Sequence, residues 1–320
     1  MTTSPRADAA PVPTATNDRL PWEKVPERVR SAVEDRLGSR VVTAHTQSGG
    51  FSPGVAARVQ LADGRRAFIK AVSADLNPDS PRFHRSEALV ARRIPPQAPV
   101  PQLLADEDLD GWVVLVFEDI DGVMPSEPWH LPDLRRVLDA TLDLAATLDP
   151  APIESPTIEG RYGDMFAGFR AMADDPWPDP WTRRHARRLA EMEAEWARAS
   201  AGSALVHADL RADNILLTED RVVFVDWAHG AVGASWFDVV FLAGSVIMHN
   251  GREGIDVLDE HLAERAVDPE AVNCVLTAAT GFFLYQSLQP IPPNLAGLRD
   301  FQRVQGEATL GWLRERTGWS

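Results

Sequence analysis

Apolar residues alternate with polar ones in short runs over the first third of the chain. They recur every three or four positions over most of the rest. In 21–37 the series Trp22, Val25, Val29, Val33, Leu37 has helical spacing, so an amphipathic helix is expected, closed by Gly38. Three β-branched or alternating runs follow at 41–46, 55–61 and 67–72, and each reads as a strand. A glycine-rich segment, 48–54, joins the first two, and Asp63-Gly64 is a hairpin turn between the second and third. Ser80-Pro81 opens a second helix, which is expected to run to about residue 94 and stop before Pro95-Pro96. Two further strands, near 101–105 and 112–118, complete a five-stranded sheet with one crossing helix.

After Asp119 the pattern becomes helical. Leu134, Val137, Leu138, Leu144, Ala145 and Leu148 form one stripe, and Leu189, Met192 and Trp196 form another. Trp177-Pro178-Asp179-Pro180 breaks the chain between helices. More helices are expected near 235–249, 252–265, 268–289 and 295–317. The result is an α+β chain with a mostly β lobe at 21–118, a mostly α lobe at 119–320 and a disordered Pro/Ala/Thr tail at 1–20.

Composition narrows the class. A hydrophobic content of 44% is enough for a packed core. The single cysteine, Cys274, rules out an intrachain disulfide and any multi-cysteine metal site. No hydrophobic signal core precedes residue 20, and the longest apolar stretch, 239–248, is too short for a span. A cytoplasmic protein without membrane partners is therefore expected. The net charge is −15. Residues 1–119 hold 15 basic and 16 acidic residues (−1), and residues 120–320 hold 17 and 31 (−14), so nucleic acid is not expected as a partner. The chain contains 30 Arg but only two Lys, Lys24 and Lys70, which makes each lysine's position informative.

The chemistry centres on 205–226. There His207 precedes Asp209 by two residues, Asn214 follows five later, and Asp226 stands at the exit of the apolar run Val222-Val223-Phe224-Val225. This spacing resembles the catalytic arrangement of the protein-kinase fold. In this chain it is similar to the aminoglycoside phosphotransferase family of small-molecule kinases, over about residues 21–290. The resemblance implies a bilobal protein-kinase-like fold with an antiparallel N-terminal sheet. It implies ATP or GTP with Mg²⁺ as cofactors and a small-molecule hydroxyl as acceptor. Asp209 would orient or accept the hydroxyl proton, and Asn214 and Asp226 would supply metal oxygens. Lys70, inside Phe68-Ile69-Lys70-Ala71-Val72, would hold the α- and β-phosphates, with Glu87 orienting it; the alternative is a lysine facing solvent. Gly49, Gly50, Ser52 and Gly54 match the family's loose Gly-Gly-x-Ser-x-Gly loop over phosphates, although the same segment also reads as a plain turn. The backbone of Glu118 and Ile120 would pair with the base. His207 would brace the loop and Asp238 would accept its N–H groups, or simply stand at a helix N-terminus. Arg211 would steady the transferred phosphate, or be a solvated loop residue.

Two departures bear on substrate. Trp227-Ala228 stands where protein kinases have Phe-Gly, and Ala208 to Ala212 replaces the commoner Gly-Asp-Leu-His-Pro-Gly form. Only twelve residues separate Asp226 from Asp238, too few for a peptide platform, which favours a small acceptor over a protein. A nucleotide-binding pseudokinase is the rival from another class. Acidic residues without evident structural duty, Glu159, Asp164, Asp174, Asp175, Asp256, Asp259 and Glu260, suggest a cationic acceptor such as an aminoglycoside or other amine-bearing alcohol. Macrolides, choline, homoserine and sugars are the alternatives.

Overall fold

A computed structural model of the chain describes residues 19–47, 54–174, 177–291 and 297–320. Most of the expected tail and the loop residues Gly49, Gly50 and Ser52 lie outside these. Helix α1 (Glu27–Leu37) ends at Gly38 with φ 66°, a left-handed cap that glycine adopts without penalty. Strands β1 (Val41–Thr46), β2 (Val55–Leu61) and β3 (Arg66–Ser73) follow, then α2 (Ser80–Ala91), β4 (Leu103–Leu109) and β5 (Trp112–Glu118). The five strands form one antiparallel sheet in the order β1-β2-β3-β5-β4.

The central strands β2, β3 and β5 are largely buried on both faces. On one, Val29, Val33 and Leu37 of α1 pack with Trp22 on Ala57, Val59, Ile69, Val114 and Val116. On the other, Ala88 of α2 packs on Val113, Leu115 and Phe117. Period-two alternation makes the two faces distinct. The fourth strand is shifted from the expected 101–105 to Leu103–Leu109. Its Asp106, Glu107 and Asp108 read as loop, yet β4 is an edge strand. Asp106 and Asp108 turn to Arg92 and Arg85 on the α2 side, and Glu107 turns to Arg36 of α1. Helix α2 also ends earlier than expected, at Ala91, where Arg93 and Ile94 both donate to Val90 in a closing turn.

The remainder is mainly helical. Helices α3 (Leu131–Thr147), α4 (Ile158–Tyr162), α5 (Gly168–Ala171), α6 (Pro180–Ala194) and α7 (Trp196–Ala199) lead into short strands β6 (Ala204–Val206), β7 (Ile215–Leu217), β8 (Val222–Phe224) and β9 (Ala231–Gly233). Helices α8 (Phe237–Asn250), α9 (Arg252–Glu264), α10 (Pro269–Ser287) and α11 (Leu298–Thr317) close the chain. The second expected stripe is broken, because α6 stops at Ala194 and Trp196 begins α7. Asp179 caps α6 by accepting from the Thr182 amide, with Pro180 at the first position, so the Trp-Pro-Asp-Pro break is a helix start. Strands β6 and β9 pair, as do β7 and β8, and these two small ladders carry the loops that face the sheet. Among the described residues no helix is long and apolar enough to cross a membrane.

His84 of α2 is buried, with Nδ1 3.2 Å from the Ser80 carbonyl. Burial, helped by the nearby Lys70 charge, pushes its pKa down to about 3. The unfolded chain therefore binds this proton first, so the contribution is complete above about pH 6.5 and is lost as pH falls toward 3. Urea unfolding should show stability falling on acidification below about pH 6.5. In His84→Gln the fall between about pH 6.5 and pH 4.5 should be smaller by up to roughly 1.4 kcal/mol per unit.

Candidate active site

The cleft between sheet and helices is set by the register of β3. Ile69 and Ala71 face α1, so Lys70 faces the opposite way, toward α2 and the loops of the helical part. Its Nζ donates to Glu87 Oε2 at 2.6 Å and to Asp226 Oδ1 at 2.9 Å. Burial acts to lower the Lys70 pKa, but Asp226 and Glu87 outweigh it and the net direction is up. The same burial raises Glu87, which is 3% exposed, to about 7 despite Lys70. Burial also opposes charge on Asp226, yet the lysine holds it well below the usual carboxylate range. Lys70 is thus not a solvent-facing lysine: only 15% of its side chain is exposed.

Asp226 has φ 66°, outside the regions a non-glycine residue prefers, and 46% of its side chain reaches solvent. Ala208, just before Asp209, is also left-handed at φ 63°. Its amide donates to Asp238 Oδ1 and the His207 amide to Asp238 Oδ2, each at 2.8 Å, while its carbonyl accepts the Tyr162 hydroxyl. Asp238 is therefore more than a helix-terminal carboxylate: it grips two consecutive N–H groups of the loop. Burial raises its pKa against those bonds. His207 is fully buried, with Nε2 2.7 Å from the Val225 carbonyl and its ring against Trp227. The loop between β6 and β7 is in this way tied to the strand that presents Asp226.

Asn214 donates through Nδ2 to the Asp209 carbonyl at 2.8 Å, with Asp209 Oδ2 at 3.5 Å, so its amide oxygen is the atom left to act as a ligand. Oxygen donors from Asn214 and Asp226 suit a hard cation that shares its shell with phosphate oxygens. Among the described residues no group of three or more His, Cys, Asp or Glu side chains converges on a metal position. Arg211 is not a solvated loop residue. It forks onto Asp213 with two 3.0 Å contacts, lies 3.8 Å from Asp209, and its charged form is strongly favoured by both.

Glu118, at the end of β5, does not reach this cluster: its amide donates to Gln102 and its carboxylate meets Arg221 at 3.4 Å. The Ile120 carbonyl accepts from Arg58 Nη2 at 2.7 Å. Gly54 packs so closely on the Ala71 carbonyl that a Cβ there would collide with it, which brings the end of the glycine-rich loop down beside the Lys70 strand.

Four contributors were not evident in the sequence. Tyr162 could have been flagged as one of only two tyrosines. Leu20 belongs to the ordered sheet part rather than the tail: its amide reaches the Gly54 carbonyl at 3.3 Å, and Arg19 beside it acts electrostatically on Asp226 and Asp213. Arg58 carried no signal beyond its place in a strand.

The acidic residues offered for the acceptor are mostly committed elsewhere. Asp256 pairs with Arg252 at 2.6 Å, Asp259 with Arg316 at 2.6 Å, and Glu260 with Arg135 at 2.8 Å. Asp174 lies 3.6 Å from Arg187, and Asp175 is outside the described residues. Glu159 and Asp164 are exposed on either side of Tyr162.

Comparison with known proteins agrees with this geometry. The model of the phosphotransferase enzyme family matches residues 48–272, and the chain belongs to that family. A choline/ethanolamine kinase family protein of Mesorhizobium loti is 16% identical with a TM-score of 0.59, over 90% of this chain and 99% of that one. An aminoglycoside phosphotransferase of Streptomyces rimosus, solved with ADP and streptomycin, is 17% identical with a TM-score of 0.50, over 79% and 98%. An amicoumacin kinase solved with AMP-PNP, Ca²⁺ and its substrate is 11% identical with a TM-score of 0.55, over 90% and 95%. These likenesses establish the protein-kinase-like fold. No curated protein matches the chain in sequence.

Asp238→Ala would strip two buried N–H groups of their acceptor. It should lower stability by roughly 2 to 5 kcal/mol, the cost of two unpaired buried donors, as read by urea unfolding.

Proposed function

We propose that this protein transfers the γ-phosphoryl group of ATP or GTP to a hydroxyl of a small molecule. The observation that carries this reading is the Lys70 ammonium held between Glu87 and Asp226, on the wall facing the Asp209–Asn214 loop. Phosphoryl transfer needs alignment and charge stabilisation more than covalent help. Lys70 supplies a fixed point charge for the α- and β-phosphates. Glu87 keeps it in place, at the cost of being raised to about 7 itself. Asn214 and Asp226 are the oxygen donors that would hold Mg²⁺, which when bound neutralises phosphate charge.

Asp209 faces the acceptor. As the acceptor oxygen bonds to the γ-phosphorus and the bond to the β–γ bridging oxygen breaks, the hydroxyl proton passes to Asp209 and the nucleoside diphosphate leaves. Arg211 forks onto Asp213 and lies 3.8 Å from Asp209, so it ties the two loop carboxylates together and offsets their charge beside the transferred group. His207 and Asp238 set the loop's position and touch no reacting atom. With most of the acidic side chains committed to arginines, Glu159 and Asp164 beside Tyr162 are what favour an amine-bearing alcohol as acceptor.

Asp209→Asn should lower kcat at least about a hundredfold while nucleotide affinity changes little. Steady-state kinetics checks this, and near-normal turnover would remove Asp209 from the role. Asp226→Ala should abolish Mg²⁺-dependent nucleotide binding in calorimetry, because the charged metal ligand is gone. A cationic acceptor should show kcat/KM falling steeply as salt is raised, since screening sets in within about 8 Å at physiological ionic strength. Flat salt dependence would point to a neutral alcohol.

A further inference from the structure

His229 ends the short turn that follows Asp226. Trp227 and Ala228 before it are buried, and the Trp227 Nε1 donates to the Phe224 carbonyl at 3.1 Å. The carbonyl of Gly230 after it accepts from Ser155 Oγ at 2.8 Å and from Arg161 Nη2 at 3.0 Å. The backbone is therefore held on both sides of His229. Its ring packs on Phe83 of α2, with centroids 5.0 Å and planes 36° apart. Phe83 lies one turn of α2 before Glu87, the partner of Lys70.

What His229 lacks is a hydrogen-bond partner. Among the described residues neither ring nitrogen makes a hydrogen bond, although the residue is partly buried. Neither nitrogen is sealed from solvent. The other donors of the site are engaged: Lys70 with Glu87 and Asp226, Asn214 Nδ2 with the Asp209 carbonyl, and Arg211 with Asp213. The charges of Asp209 and Asp226 both act on the His229 ring and favour its protonated form, but burial outweighs them and the net direction of its pKa is down. Near pH 7 the ring is therefore mostly neutral, with one N–H to give.

We propose that His229 donates a hydrogen bond to an oxygen of the γ-phosphoryl group of the bound nucleoside triphosphate, as a further catalytic residue. This rests on the phosphoryl-transfer reading above. In that reading Asp226 holds the metal on the phosphates and Asp209 holds the acceptor hydroxyl, so the transferred group passes between these two carboxylates. His229 is the unengaged donor that feels both. The transferred group carries its charge on three equatorial oxygens, and a fixed N–H in a partly desolvated place stabilises that charge.

The test is calorimetric titration of the full chain with Mg·ADP and with Mg·AMP-PNP, and with the matching guanine pair. It is run on the unmodified protein, on His229→Leu and on His229→Gln. Leucine keeps a side chain against Phe83 but has no N–H, whereas glutamine keeps an N–H. In His229→Leu the triphosphate analogue should bind at least about tenfold more weakly, as expected for a lost hydrogen bond to a charged group, while the diphosphate changes less than about twofold. His229→Gln should lose no more than about threefold for the analogue. Unchanged analogue affinity in His229→Leu overturns the proposal. So does an equal loss for diphosphate and triphosphate in both variants, or a loss in His229→Gln as large as in His229→Leu, since each makes the ring a packing element only. These outcomes leave phosphoryl transfer intact. Binding of no nucleotide by the unmodified protein overturns both readings.

Discussion

The ion triad of Glu87, Lys70 and Asp226 is the interaction on which the rest of the site depends. Lys70 comes from the sheet, Glu87 from the helix packed on it, and Asp226 from a loop of the helical part. One ammonium therefore ties together three elements far apart in sequence. The arrangement holds two carboxylates against one cation, with Lys70 and Glu87 shielded and Asp226 half open to solvent, so the local excess is negative. The strain shows in Glu87, raised to about 7. A partly buried, imperfectly balanced cluster is a poor source of stability. It suits a site that receives polyphosphate together with a divalent cation, since both halves of that ligand find opposite charge waiting.

The second constraint is the loop from His207 to Asn214. Ala208 is held at positive φ, a conformation glycine takes freely and alanine does not. The surroundings enforce it: Asp238 grips the amides of His207 and Ala208, and Tyr162 grips the Ala208 carbonyl. The family's more usual glycine at this place has a physical reason, and this chain meets the same geometry by bracing instead. Asp209 is thereby presented on a frame of buried residues, His207, Ala208, Tyr162 and Asp238.

Much of this was legible in the sequence. Strands at 41–46, 55–61 and 112–118 stand where β-branched or apolar runs begin and end, and the last four helices fall within about three residues of expectation, with Asp268-Pro269 opening one and Gly251 and Gly318 closing two. The scarcity of lysine singled out Lys70, the resemblance to the kinase fold supplied Glu87 as its partner, and the His207–Asp226 cluster was readable from its spacing. What was hidden depended on tertiary partners. Asp106, Glu107 and Asp108 look like a turn until Arg92, Arg36 and Arg85 neutralise them along an edge strand. Asp256, Asp259 and Glu260 looked idle until their arginines were placed. Arg58 and Arg19 are two of 30 arginines, and only the three-dimensional register brings them to the cleft.

The central claim is that the Lys70 triad and the Asp209 loop together move a phosphoryl group onto a small alcohol. Phosphorus NMR of the protein with Mg²⁺, a nucleoside triphosphate and a panel of amine-bearing and neutral alcohols tests it most directly. The account predicts loss of the γ-phosphate signal with matching growth of nucleoside diphosphate and one phosphomonoester, and no such transfer by Lys70→Met. Phosphomonoester formation by Lys70→Met at the unmodified rate, or bound nucleotide that no acceptor ever consumes, would contradict it.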